Sequence, residues 1–145
     1  EPNVESQAVD NSATISMAPI ETGHGWVWPA DGIVIGRFED SAGDNGIDIG
    51  GQSGAPIQAA AAGKVVYAGT GLRGYGLLLI IKHDETYLSA YAHNRAVTTK
   101  EGDEVSKGQV IAEMGQTGAE SPRLHFEIRK DGKPVDPLRY LPRKN

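Results

Sequence analysis

The side chains best spaced for chemistry lie in Pro122-Arg123-Leu124-His125-Phe126-Glu127-Ile128. Leu124, Phe126 and Ile128 alternate with Arg123, His125 and Glu127, so a strand here has an apolar face and a face bearing a guanidinium, an imidazole and a carboxylate. That second face lines a groove or meets water, and the choice decides what it can do. Of the four histidines, His24 adjoins an acidic arm and His83 sits at a hairpin corner, so both read as surface residues. His93 and His125 lie on strands whose opposite face is apolar. With Asp48 and Glu127 nearby they would make a nitrogen and oxygen set of the kind that ligates zinc.

Other chemistries find less support. Gly69-Thr70-Gly71-Leu72-Arg73-Gly74 fits Gly-x-Gly-x-x-Gly, but a hairpin is expected after it, and no helix N-terminus would hold a phosphate. No Gly-x-Ser-x-Gly elbow occurs. The chain has no cysteine, which removes disulfides, thiolate metal sites and cysteine nucleophiles.

Positioning these groups falls to short strands. Nineteen glycines and eight prolines in 145 residues suit strands joined by tight turns and not a helical bundle. Strands are expected over residues 32–38, 47–49, 64–69, 76–83, 87–93 and 108–115. Leu77-Leu78-Leu79-Ile80-Ile81 is apolar on both faces and is predicted to lie within a sheet. In residues 87–93, Leu88, Ala90 and Ala92 are read as the apolar face and Tyr87, Ser89, Tyr91 and His93 as a polar, aromatic one. Asp136-Pro137 predicts a capped helical turn near the C-terminus. The fold class is all-β and mainly antiparallel.

Residues 1–24 are polar and acidic, with Glu1, Glu5, Asp10 and Glu21 and no Lys or Arg before residue 25. They read as a disordered linker or arm ahead of a single domain over residues 25–145. The arm holds most of the net charge of -5, so the domain itself is near neutral and lacks the basic footprint of a nucleic-acid binder.

Asp44-Asn45-Gly46-Ile47-Asp48-Ile49, Ser89-Ala90-Tyr91-Ala92-His93-Asn94, Val105-Ser106-Lys107-Gly108-Gln109-Val110-Ile111, Gly115-Gln116-Thr117-Gly118 and Arg123-Leu124-His125-Phe126-Glu127 come in the order found in lysostaphin/LytM-type zinc endopeptidases. The chain resembles that family over residues 26–141. The resemblance implies a groove-shaped, mostly antiparallel β-scaffold that acts on peptidoglycan. It places Asp48 at a zinc-binding Asp, His125 at a zinc-binding His and His93 at a histidine that assists the attacking water.

Two positions depart from the family pattern. Asp44 stands where the first zinc-binding His is expected, and Arg123 where the first His of His-x-His is expected. A carboxylate can ligate zinc, but a guanidinium stays protonated and accepts no proton. Arg123 is therefore expected to neutralise Asp44, Asp48 or Glu127 in a salt-bridged network, with no catalysis and no zinc.

Within the family the sequence is most similar to NlpD-type amidase activators. The motifs are Leu72-Arg73-Gly74-Tyr75-Gly76, Tyr87 to Asn94, Arg123 to Arg129 and Asp136-Pro137-Leu138-Arg139-Tyr140-Leu141-Pro142. That resemblance implies a non-catalytic domain of a periplasmic, outer-membrane-anchored lipoprotein, with the first residues a linker from a longer chain. Its partner would be a periplasmic N-acetylmuramoyl-L-alanine amidase, activated as daughter cells separate, with peptidoglycan a further candidate contact. The groove walls expected to meet the partner are Arg73, Tyr75, Tyr91, His93, Arg123, His125 and Glu127; each also reads as part of a solvated sheet face. Two alternatives are a working zinc endopeptidase with altered ligands and a carrier-like β module. The second is suggested by residues 101–109 but lacks the following lysine that carriers modify.

Overall fold

A computed structural model describes residues 19–39 and 44–143. Eleven strands are present among them: β1 (Ile33–Gly36), β2 (Ile47–Gly50), β3 (Pro56–Gln58), β4 (Gly63–Gly69), β5 (Leu77–Lys82), β6 (Tyr87–Asn94), β7 (Ala96–Val97), β8 (Glu104–Val105), β9 (Val110–Glu113), β10 (Arg123–Lys130) and β11 (Lys133–Val135). The larger sheet runs β1-β2-β10-β6-β5-β4-β8, with β11 also paired to β10, and a small sheet runs β3-β9-β7. Every strand pairing is antiparallel. A 3-10 turn over Pro137–Arg139 is capped by the Asp136 side chain, which accepts from Leu138 N–H, as the Asp-Pro pair predicts.

The alternation read in residues 122–128 is what builds the core. Leu124, Phe126 and Ile128 of β10 are fully buried beside Ile47 and Ile49 of β2 and Leu79 and Ile81 of β5, and Ile57 of β3 and Ile111 of β9 join them. Each such side chain contributes about 1.5–3 kcal/mol of burial. On the opposite face of the large sheet a second, smaller cluster forms from Leu78, Ala90 and Ala92, with Tyr67, Tyr75 and Ile80 against it. β5 thus serves both layers, as its unbroken apolar run implies.

Two expectations need correction. The arm was expected to extend to residue 24, yet Ile20 N–H donates to Arg139 O, His24 Nε2 lies 2.7 Å from Asp84 Oδ2, and Trp26 Nε1 donates to Thr22 Oγ1. The segment from residue 19 is fastened to the body by these polar contacts, which its composition does not advertise. The rest of the expected arm, residues 1–18, lies outside the described residues.

The second correction reverses the faces of β6. His125 pairs with Ala92 and Glu127 with Ala90, so the alanines share the polar face of β10, while Tyr91 pairs with Phe126 in the core. Tyr91 is 0% exposed. Its hydroxyl accepts from Ala60 N–H and is 2.7 Å from Ser89 Oγ. Burial pushes the phenol up to about 12. Tyr91 is therefore not a groove wall: two internal partners satisfy its one polar atom, and small alanines on the other side leave room for the charged chains of β10.

Candidate functional site

β2, β10 and β6 lie side by side, and their register sets the site. Asp48 faces His125 across the β2 and β10 pair, and Arg123 faces Gly50. His93 would fall on the core face with Tyr91 if β6 kept strict alternation. Instead its φ is +71°, and the β5 and β6 pairing shifts register between Leu77 and Leu79, as at a β-bulge. This turns His93 to the polar side, where its ring centroid is 6.1 Å from that of His125. A left-handed histidine costs on the order of 1–3 kcal/mol, and such strain clusters at functional sites.

The loop before β5 supplies the remaining wall. His93 N–H donates to Tyr75 O, and the Tyr75 hydroxyl donates to Glu127 Oε2 at 2.9 Å. Gly76, at φ +63°, lies so close to Thr117 that a side chain would collide with its backbone. That approach holds Thr117 O in place to accept from His93 Nδ1 at 2.7 Å. Asp44, Asn45, Asp48, Arg73, Gly74, Tyr75, His93, His125 and Glu127 enclose an open cavity of about 320 Å³.

At its floor the charged groups pair with one another. His125 Nδ1 is 2.7 Å from Asp48 Oδ1 and Nε2 is 2.8 Å from Glu127 Oε2. Both carboxylates accept, so both ring nitrogens carry protons and the ring is an imidazolium. Burial alone would lower its pKa, but the two carboxylates override this and push it up to about 9. The His125 hydrogen bond holds the Asp48 carboxyl below its ordinary value, with Arg123 adding to the effect. Glu127 is 1% exposed. Its burial opposes ionisation, yet the bonds from His125 and Arg129 keep it a carboxylate below its usual range. Arg129 reaches it at 2.8 Å through Nε and 2.7 Å through Nη2.

Arg123 sits more loosely. Nη2 donates to Ser121 Oγ at 2.9 Å, and Nη1 stands 3.5 Å from Asp48 Oδ2. Its Nε is buried without a hydrogen-bond partner. The expectation that Arg123 neutralises a carboxylate therefore applies to Asp48, while Glu127 takes Arg129. Arg129 was missed although it continues the same alternation two residues beyond Glu127. Thr117 was missed as well, since its contribution is a backbone carbonyl that no side-chain pattern reveals.

His93 completes the set. Burial lowers its pKa, the Thr117 carbonyl opposes that, and the His125 cation lowers it further. With Nδ1 donating, its Nε2 carries the lone pair.

These residues do not fit a zinc ion as they stand. Both nitrogens of His125 are spent on carboxylates, and a permanent guanidinium lies beside the free oxygen of Asp48. Among the described residues no three His, Cys, Asp or Glu groups are placed to hold a metal. The arrangement sets paired charges and the Tyr75 ring around an open cavity.

Comparison with known proteins agrees with this architecture. The chain is 63% identical over 121 residues to "Lipoprotein NlpD/LppB homolog" of Pseudomonas aeruginosa, covering 83% of this chain and 41% of that protein. It is 57% identical over 130 residues to "Murein hydrolase activator NlpD" of Escherichia coli, covering 89% and 34%. The chain thus spans less than half the length of these relatives. The antimicrobial peptidase lysostaphin from Staphylococcus simulans superposes with a TM-score of 0.67 at 26% identity, over 81% of this chain and 52% of that one. Residues 42–137 match Peptidase family M23, and the chain belongs to that family.

Proposed function

We propose that this M23 domain is a non-catalytic activator of a periplasmic N-acetylmuramoyl-L-alanine amidase, and that it works without zinc. The observation that carries the reading is the pairing of the groove's charges among themselves: His125 is held by Asp48 and Glu127, and Arg123 stands beside Asp48. A protonated imidazole offers no lone pair to a metal, and a guanidinium offers no base to a water molecule. The names of relatives as a murein hydrolase activator and a lipoprotein support both the role and an envelope location. Among the described residues no helix is long and apolar enough to cross a membrane.

Activation requires the domain to bind the open form of the amidase better than its closed form. The groove offers Tyr75, Arg73, Arg123 and His93 to a segment of the amidase, which thereby leaves its own active site. Arginine and tyrosine are the side chains that most often carry interface energy.

Dye-labelled sacculi test this directly. The domain alone is expected to release nothing, an autoinhibited amidase alone to release little, and the two together to release dye strongly. The Arg123→Ala variant is expected to lose most of the stimulation. Release of dye by the domain alone would overturn the proposal.

A further inference from the structure

Beside the charged floor lies a second pocket of about 300 Å³ whose lining is apolar in the main. Leu78 and Ala90 are its buried floor, Ile80 and Leu88 its half-buried sides, and Leu72 a rim residue left 45% exposed. Tyr75 and Glu127 line both pockets, so the two adjoin across that hydrogen-bonded pair. The shared carboxylate is already satisfied by Tyr75, His125 and Arg129. A partner's charged group gains nothing from it.

One cation of the rim, Arg73, stands outside the ion pairs of the floor. Arg73, His125 and Arg129 line the two pockets together with Asp44, Asp48 and Glu127, and His125 and Arg129 are bound to Asp48 and Glu127. Arg73 adjoins Leu72 in sequence and lines the charged pocket, and it has no carboxylate partner among the described residues. An apolar recess beside an uncommitted guanidinium selects an apolar side chain with a neighbouring acid.

We infer that the amidase segment of the proposed function, on which this inference rests, inserts an aliphatic side chain between Leu72, Leu78, Ile80 and Leu88 and sets an adjacent carboxylate against Arg73. The apolar recess supplies affinity, and the Arg73 contact fixes the direction in which the segment lies. Without the recess the groove would take any acidic chain; with it, specificity follows from the pair.

The test is calorimetric titration of the intact domain and its variants into a purified, autoinhibited N-acetylmuramoyl-L-alanine amidase, with sacculus co-sedimentation in parallel. Leu72 stands on an exposed loop, so Leu72→Glu leaves the fold intact and is expected to weaken amidase binding about tenfold or more. Leu72→Met, which keeps volume and polarity, is expected to stay within about twofold. Arg73→Glu is expected to weaken binding and to remove part of its salt dependence, while Arg73→Lys retains most of both. Wild-type binding with Leu72→Glu unchanged would overturn the inference and leave the activator reading standing. No binding by the wild type would overturn both. Loss of sacculus binding by Leu72→Glu with amidase binding intact would assign the recess to the cell wall and also overturn the inference.

Discussion

His125 and His83 border the same sheet and are driven in opposite directions. On the groove face, His125 lies between Asp48 and Glu127 and is pushed up to about 9. At the end of β5, His83 lies 2.7 Å from the Ala62 carbonyl and 2.8 Å from Ser89 Oγ, with the edge of Trp26 against it, and burial pushes it down to about 4. Both rings lose water. What separates them is whether a carboxylate replaces it: His125 has two, while His83 has a carbonyl and a hydroxyl. One network is a charged surface at the floor of an open cavity. The other, running His83, Ser89, Tyr91 to Ala60 N–H, is a neutral seam that fixes the core behind it.

Removing the anchor of the charged network is expected to have the largest effect. Glu127→Ala strands His125 and Arg129 without their buried carboxylate and should cost about 3–5 kcal/mol in denaturant unfolding. On the neutral side, Tyr91→Phe leaves Ala60 N–H without its acceptor in a dry core. That change should cost about 1–3 kcal/mol in the same measurement. If the two losses were equal, the distinction between the networks would fail.

Stability should also vary with pH from both sides. His125 is raised from an ordinary 6.5 to about 9, so its contribution is fully present below pH 6.5 and is lost as pH rises through 9. His83 is lowered from 6.5 to about 4, so it costs nothing above pH 6.5 and destabilises increasingly as pH falls toward 4. Asp48 and Glu127, both lowered, add to the acid loss below their ordinary values. Thermal melts should therefore peak near pH 6.5. Nuclear magnetic resonance titration of the ring protons should separate the two histidines, one midpoint near 9 and the other near 4. The smallest effect on stability is expected from Arg123→Ala, within about 1 kcal/mol, because its Asp48 contact is long and partly solvated.

The groove strand β10 was legible because its period of two is unbroken from Arg123 to Lys130, and the same rule would have reached Arg129. β6 was misread where a general rule meets a local exception. Tyr87, Ser89 and Tyr91 looked polar and their alanine neighbours apolar, yet the tyrosine and serine hydroxyls satisfy each other inside while the alanines make space outside. His93 then crosses to the groove through a positive φ that no composition announces. His83 read as surface for a related reason: its burial depends on Trp26 arriving from a distant segment. Short-range pattern reported faces well where strands were regular and failed at bulges and at contacts between distant parts of the chain.

The proposed zinc-free groove rests on charges that pair with one another and leave His125 no nitrogen for a metal. Elemental analysis of the domain after loading with zinc and exhaustive dialysis tests it most directly. No stoichiometric zinc is expected, in the wild type or in Arg123→His, since Asp48 and Glu127 hold both nitrogens of His125 in each. One zinc retained per chain would contradict it.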